Sequence, residues 1–341
     1  ALDVPIYYFL GDVKDTQTTV IRADERQVLA LPNSSVVYEF MTPMGLDQNI
    51  KPKLEVINIE IEPKKWSSEE FFSHNADEAM IILDGTIEVS LNNEEITLNK
   101  GDEVIIATPY WVSYPQLVQI AGGVPVYVQT KEENGFKCKV EDLDAVLTKK
   151  TKAIILNSPN NPTGIIYNSS DLKAIAEWAV KNNIFVISDE IYEKLIYGGE
   201  KHTSIASLGD DIKRLTMVVN GMSKAYAMTG WRIGFAAGPK QLIEAMENFQ
   251  SHSTSNPNSI AQYASVAALK GPKDVIGYMV SQFDARRKFM VSKIGDMDGI
   301  SCTTPLGAFY IMLNITELYG RTYNGQRING SLDFADALLE S

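Results

Sequence analysis

The stretch VVNGMSKAYAMTGWRIG, residues 218–234, holds one lysine, Lys224, among small and apolar residues, with Arg232 eight positions on. A bare ammonium is costly to bury without a partner. Either Lys224 reaches solvent or its amine works in a pocket. A lysine amine sheds its proton readily when desolvated near other cations, and it then attacks carbonyls. The planar fork of an arginine suits a bidentate grip on an oxyanion. Three further stretches carry groups of the same kind: TPYWVSYP (108–115), NSPNNPTG (157–164) and SDEIYEKLIY (188–197). Singly, each has an ordinary explanation. Asn, Pro and Gly make NNPTG a good turn. Asp189 can cap a helix, Trp111 can fill a core and Arg232 can pair with a surface acid.

The elements that must position these groups are legible in the rhythm of the chain. From about residue 103, EVIIATP, PVYVQT, KAIILNSP, FVISDEI, LTMVVNG and IGFAAGP read as strands. Amphipathic stretches such as SDLKAIAEWAVKNN lie between several of them. Apolar strands alternating with helices predict an α/β fold, a parallel sheet covered on both faces. Ligands gather at the carboxyl ends of such strands, where the four motifs fall. Residues 240–296 read as helical, broken by the polar stretch SHSTSNPNS. TTPLGAFYIMLNI reads as one more β element, and SLDFADALLES as a closing helix.

Residues 36–105 have a different rhythm. Short β-branched segments with partial alternation, separated by the turn signals LDG and LNNEE, predict a small antiparallel sandwich or barrel. The charge agrees with two unlike pieces. The net charge is −12, and residues 1–100 hold 18 acids against 8 bases. No basic stripe exists, which excludes a nucleic-acid footprint. No apolar run has the length to span a bilayer, and the opening ALDVPIYYFL does not read as a signal peptide. The two cysteines, Cys138 and Cys302, form no CxxC, so a reducing, cytoplasmic setting is expected without disulfide framework or zinc knuckle.

Taken together with their spacing, the four motifs resemble those of the pyridoxal-phosphate-dependent class I aminotransferases of the aspartate type, over residues 101–341. The resemblance implies a PLP-transferase large domain at 102–304 and part of a small domain at 305–341. It implies that Lys224 matches the lysine that bonds to the cofactor aldehyde and later moves a proton at the substrate α-carbon. Asp189 matches the carboxylate that pairs with the pyridine nitrogen, keeping the ring an electron sink. Tyr192 and Asn161 match residues that hydrogen-bond the ring's 3-oxygen. Trp111, whose neighbour Tyr110 is the competing choice, matches the aromatic stacked on the pyridine face. Arg232 matches the arginine that grips the phosphate, and Ser223 is a further hydroxyl near it. The implied reaction transfers an amino group between an aspartate-like L-amino acid and a 2-oxo acid. A homodimer is also implied, with SHSTSNPNS a segment that could reach the partner's site.

Residues 1–101 resemble instead the cupin domain of bacterial helix-turn-helix regulators, through SHNADEAMIILDGTIEVSLNNEEITLNKGD. His74, Glu78 and Gly85 fall at cupin spacing, but Phe72 stands where a second histidine belongs and none follows Asp102, so no metal is expected. The two resemblances meet at Gly101–Ile106, which implies a chimera with an incomplete barrel. The family's glycine-rich phosphate turn has no counterpart in residues 1–100, and Arg321 and Arg327 do not match its carboxylate-clamping arginine. Turnover is therefore expected to be impaired. Two rival expectations follow: a catalytically inactive chimera that still binds the cofactor, and a cupin-type sensor of small molecules.

Overall fold

The computed structural model describes residues 26–30, 36–40, 57–61, 85–91, 94–99 and 101–339. The chain divides into two compact units, residues 1–78 with 248–255, and residues 79–247 with 256–341. The first unit holds strands β1 (Gln27–Ala30), β2 (Val36–Phe40) and β3 (Ile57–Ile61), paired antiparallel in that order. His74 and Glu78 lie outside the described residues.

The second unit opens with a hairpin, β4 (Thr86–Leu91) against β5 (Glu94–Asn99). It continues through β6 (Glu103–Thr108), α1 (Ser113–Ile120), β7 (Val124–Gln129), α2 (Val140–Val146), β8 (Thr151–Asn157), α3 (Ser169–Asn182), β9 (Phe185–Asp189), α4 (Asp210–Arg214), β10 (Thr216–Gly221) and β11 (Gly234–Ala237). These six strands form one sheet in the order β11-β10-β9-β8-β6-β7. All pair parallel except β11, which returns antiparallel against β10. The sheet is thus mostly parallel, as expected, with one antiparallel edge: the loop 222–233 turns straight back, with no crossover helix to carry β11 round to a parallel approach.

Alternation along β6 and β8 feeds two cores. On one face Ile105, Ile154 and Leu156 pack with Leu143 of α2 and Leu172, Ile175 and Trp178 of α3. On the other, Ile106 and Ile155 meet Tyr114 and Val118 of α1. Each such aliphatic side chain contributes about 1.5–3 kcal/mol on burial. Helix α3 is fixed at both ends. Asn168 accepts from the Asp171 backbone N–H at 2.9 Å, Asp171 returns the bond to Asn168, and Asn183 stops the helix at φ 55°.

Helices α5 (Lys240–Ser253), α6 (Ser259–Lys270) and α7 (Asp274–Gly295) follow. Helix α5 runs through Ser253, so the expected break shrinks to residues 254–258. Beyond lie β12 (Ser301–Cys302), β13 (Leu313–Asn314), β14 (Thr322–Tyr323), β15 (Gln326–Arg327) and α8 (Ser331–Leu339). TTPLGAFYIMLNI is a strand only at Leu313–Asn314, because residues 305–310 spend their backbone bonds on loops instead of a ladder. Leu306 and Gly307 donate to the Gly164 carbonyl at 2.9 Å, and Ala308 donates to Leu195 at 2.9 Å. Among the described residues, no helix is long and apolar enough to cross a membrane.

Candidate active site

The carboxyl ends of β8, β9 and β10 lie side by side, with Asn157 in register with Asp189 and Asp189 with Val219. Strand alternation sends the neighbours Asp189 and Glu190 to different partners. Glu190 is buried among Ser188, Ser204 and His202. Those bonds occupy both its oxygens, so the nearby Glu193 and His202 read as a hydrogen-bonded buried acid and its neighbours.

Asp189 accepts from the Tyr114 hydroxyl at 2.6 Å and from the Ile191 N–H at 3.1 Å. Burial raises its carboxyl above the ordinary range, and it outweighs the opposing pull of these bonds and of the Lys224 charge. Tyr114 sits on α1, buried, and is pushed far up by burial and then by the Asp189 charge. It stays a neutral donor at any physiological pH. Trp111 meets Tyr114 edge-on at 5.4 Å and remains 42% exposed. Tyr110 instead stacks on Tyr127. Tyr110 also packs against the apolar cluster that contains Tyr114, while Trp111 meets the Tyr114 ring directly.

Lys224 follows β10, half-buried. Its Nζ lies 5.9 Å from the Tyr192 ring centroid and 5.7 Å from that of Phe309. Among the described residues no carboxylate lies at ion-pair distance from it. Tyr192 is buried, its hydroxyl 2.7 Å from that of Tyr310. Burial foremost, then the Tyr310 bond, raises its pKa well above that of an ordinary phenol. Asn161 donates to the same Tyr310 oxygen at 3.2 Å, and its own N–H is held by Asn157 at 2.8 Å. Four expected residues, Asn161, Asp189, Tyr192 and Lys224, therefore converge, with Trp111 attached through Tyr114.

Arg232 lies on the loop that carries Lys224, two residues before Gly234, which pairs with Gly221. It is exposed, with φ 50°, and its Nη1 donates to the Thr229 carbonyl at 3.0 Å. No hydrogen bond or ion pair joins its guanidinium to the other expected residues.

Three side chains of the cluster escaped the sequence reading: Tyr114, Phe309 and Tyr310. Tyr114 had a weak signal, since it lies one helical turn after Trp111 within TPYWVSYP. Tyr310 had none. The segment bearing it is fitted by glycines: a Cβ on Gly164 would lie 2.4 Å from Pro305 Cβ, and one on Gly307 2.5 Å from Pro159 Cβ.

An open, mostly parallel sheet with helices on both faces, presenting an amine and an inward carboxylate at adjacent strand ends, defines an α/β ligand-binding fold of the PLP-transferase type. The chain belongs to the class I and II aminotransferase family, whose sequence profile matches residues 63–341. It is 52% identical over 223 residues to an aspartate aminotransferase of Geobacillus stearothermophilus, covering 65% of this chain and 57% of that one. An aspartate/prephenate aminotransferase of Cereibacter sphaeroides is 46% identical over 246 residues, 72% of this chain and 62% of that one. Among solved structures, the aspartate aminotransferase from Rhizobium meliloti matches with a TM-score of 0.69 at 42% identity, over 71% of this chain and 61% of that one. The chain thus spans about three-fifths of the length of these relatives. The family match opens at residue 63, upstream of the expected join at 101.

Proposed function

We propose that the protein is a pyridoxal-phosphate-dependent aminotransferase, exchanging an amino group between an aspartate-like L-amino acid and a 2-oxo acid. The observation that carries the reading is the placing of Lys224 and Asp189 at adjacent strand ends within electrostatic reach. An amine bounded by ring faces and an inward carboxylate share one electrostatic neighbourhood at the strand ends.

The residues fit the cofactor. The Asp189 carboxyl is held only by neutral donors, and burial lifts its pKa. A carboxyl so placed gains by sharing a proton with a ring nitrogen. When bound, the cofactor supplies a ring that takes up negative charge developing at the substrate α-carbon. Asp189 would keep a proton on the ring nitrogen, with Tyr114 and the Ile191 N–H each holding one of its oxygens in place. Asn161 and Tyr192 would donate to the ring oxygen, Trp111 would cover a ring face, and Arg232 would grip the phosphate. Lys224 would carry the covalent attachment and then move a proton at the α-carbon, the role of a general base and acid.

A homodimer is part of the proposal. Ile260, Tyr263, Tyr278 and Phe289 on α6 and α7 are all more than half exposed, apolar surface suited to a second copy. The unpaired thiols Cys138 and Cys302 favour a cytoplasmic setting. For the N-terminal part, the antiparallel sheet β1-β2-β3 supports a small β segment, and the family match from residue 63 argues for a join upstream of 101.

The test is a half-reaction. Protein incubated with the cofactor is expected to absorb in the visible, and borohydride to fix the label on Lys224. Addition of L-aspartate is expected to convert the spectrum to that of the amino form and release oxaloacetate. A labelled Lys224 without conversion would establish the inactive binding chimera in its place.

A further inference from the structure

Two donors of the site are held by one oxygen. The Tyr310 hydroxyl lies 3.2 Å from Asn161 Nδ2 and 2.7 Å from the Tyr192 hydroxyl. An amide nitrogen only donates, so the Tyr310 oxygen accepts from Asn161. Its other lone pair is available to Tyr192. The Tyr310 oxygen is thus a phenolic acceptor served by an amide and a phenol. On the proposed function, the same amide and phenol serve the phenolic 3-oxygen of the cofactor ring. Either hydroxyl can donate in the Tyr192–Tyr310 bond; with Tyr192 as the donor, the two oxygens ask for the same hydrogen bonds, and Tyr192 has one proton to give.

We propose that Tyr310 is an internal stand-in for the cofactor: its hydroxyl holds Asn161 and Tyr192 in the unloaded chain and yields them when the ring oxygen arrives. The inference rests on the proposed function. Its structural basis is independent of any family motif. Residues 306–308 are tied to Gly164 and Leu195, which delivers Tyr310 to the cluster, while the Tyr310 ring is only half-buried and packs edge-on to Tyr192 at 5.7 Å. The donors are thereby kept in place without a ligand, and a buried phenol is spared an unsatisfied proton. With Tyr192 as the donor, loading breaks the Tyr192–Tyr310 bond, and the stand-in then weakens cofactor binding by the worth of that bond.

Phenylalanine at 310 keeps the ring and removes only the oxygen. Tyr310→Phe is expected to raise the free energy of the unloaded chain and leave the loaded chain unaffected, lowering the cofactor Kd about fivefold, the worth of one net hydrogen bond. Tyr192→Phe, which removes a donor from both states, is expected to raise the Kd. Cofactor titrations followed by absorbance, with melting curves of loaded and unloaded protein, read both effects. Tyr310→Phe should melt lower than the unmutated chain only when unloaded. A Kd unchanged or raised in Tyr310→Phe overturns the inference. If neither the unmutated chain nor Tyr310→Phe takes up cofactor, the proposed function fails and the unloaded chains decide the inference. Each single variant should then melt lower, with the double variant no lower than the worse single. Additive losses, or no loss in Tyr310→Phe, sink it.

Discussion

Asp189 is the residue whose environment is most informative. Its two neutral hydrogen bonds and the Lys224 charge favour the anion, yet burial outweighs them and its pKa is raised. A carboxyl whose folded pKa exceeds its unfolded value binds more protons folded than unfolded between the two. Stability therefore falls as pH climbs from about 4, the unfolded value, through the raised pKa, and the loss is complete above it. Asp189→Asn is expected to flatten that slope in the unloaded chain. Melting temperature measured against pH for both proteins checks it, and parallel curves would show that Asp189 does not carry the effect. The same residue illustrates how function and stability diverge: the feature that costs the unloaded fold is the one that would hold a ring nitrogen.

At the scale of elements, α3 and the loops after β8 make separable contributions. The Asn168 cap serves the core side of the sheet, away from the cluster. Asn168→Ala is expected to cost about 1 kcal/mol in denaturant unfolding with cofactor binding unchanged. Gly307 has the opposite character. A methyl there meets Pro159 at 2.5 Å, and both neighbours are held by backbone bonds. Gly307→Ala is expected to cost about 1–3 kcal/mol through overpacking and to displace Tyr310 from Tyr192. Unfolding curves beside a cofactor titration would separate the two. The helix α3 was legible because its cap, period and stop are encoded within sixteen residues. The segment 303–315 was misread as a strand because its apolar run satisfies strand patterning, while its actual hydrogen-bond partners, Gly164 and Leu195, lie far away in sequence.

For the whole molecule, the proposed function makes a prediction about stability. A ligand that binds only the folded state stabilises it by about 2.7 kcal/mol at a hundredfold excess over its Kd. The cofactor is expected to raise the melting temperature of the unmutated chain, and by much less in Lys224→Ala, which loses the covalent bond. An equal rise in both would mean that Lys224 stands outside the site. The amino-acid sequence by itself determined the α/β rhythm, the strand ends and the individual chemistry of Lys224, Asp189, Asn161 and Arg232, because turns, amphipathic periods and motif spacing are local properties of the chain. Only the tertiary structure decided that β11 turns back and that Tyr114 and Tyr310 join the Asp189 and Tyr192 cluster. Those partners lie 75 and 118 positions from Asp189 and Tyr192. Sheet register and the close approach of two glycine-bearing loops bring them together, and no local pattern of residues encodes a distance of that kind.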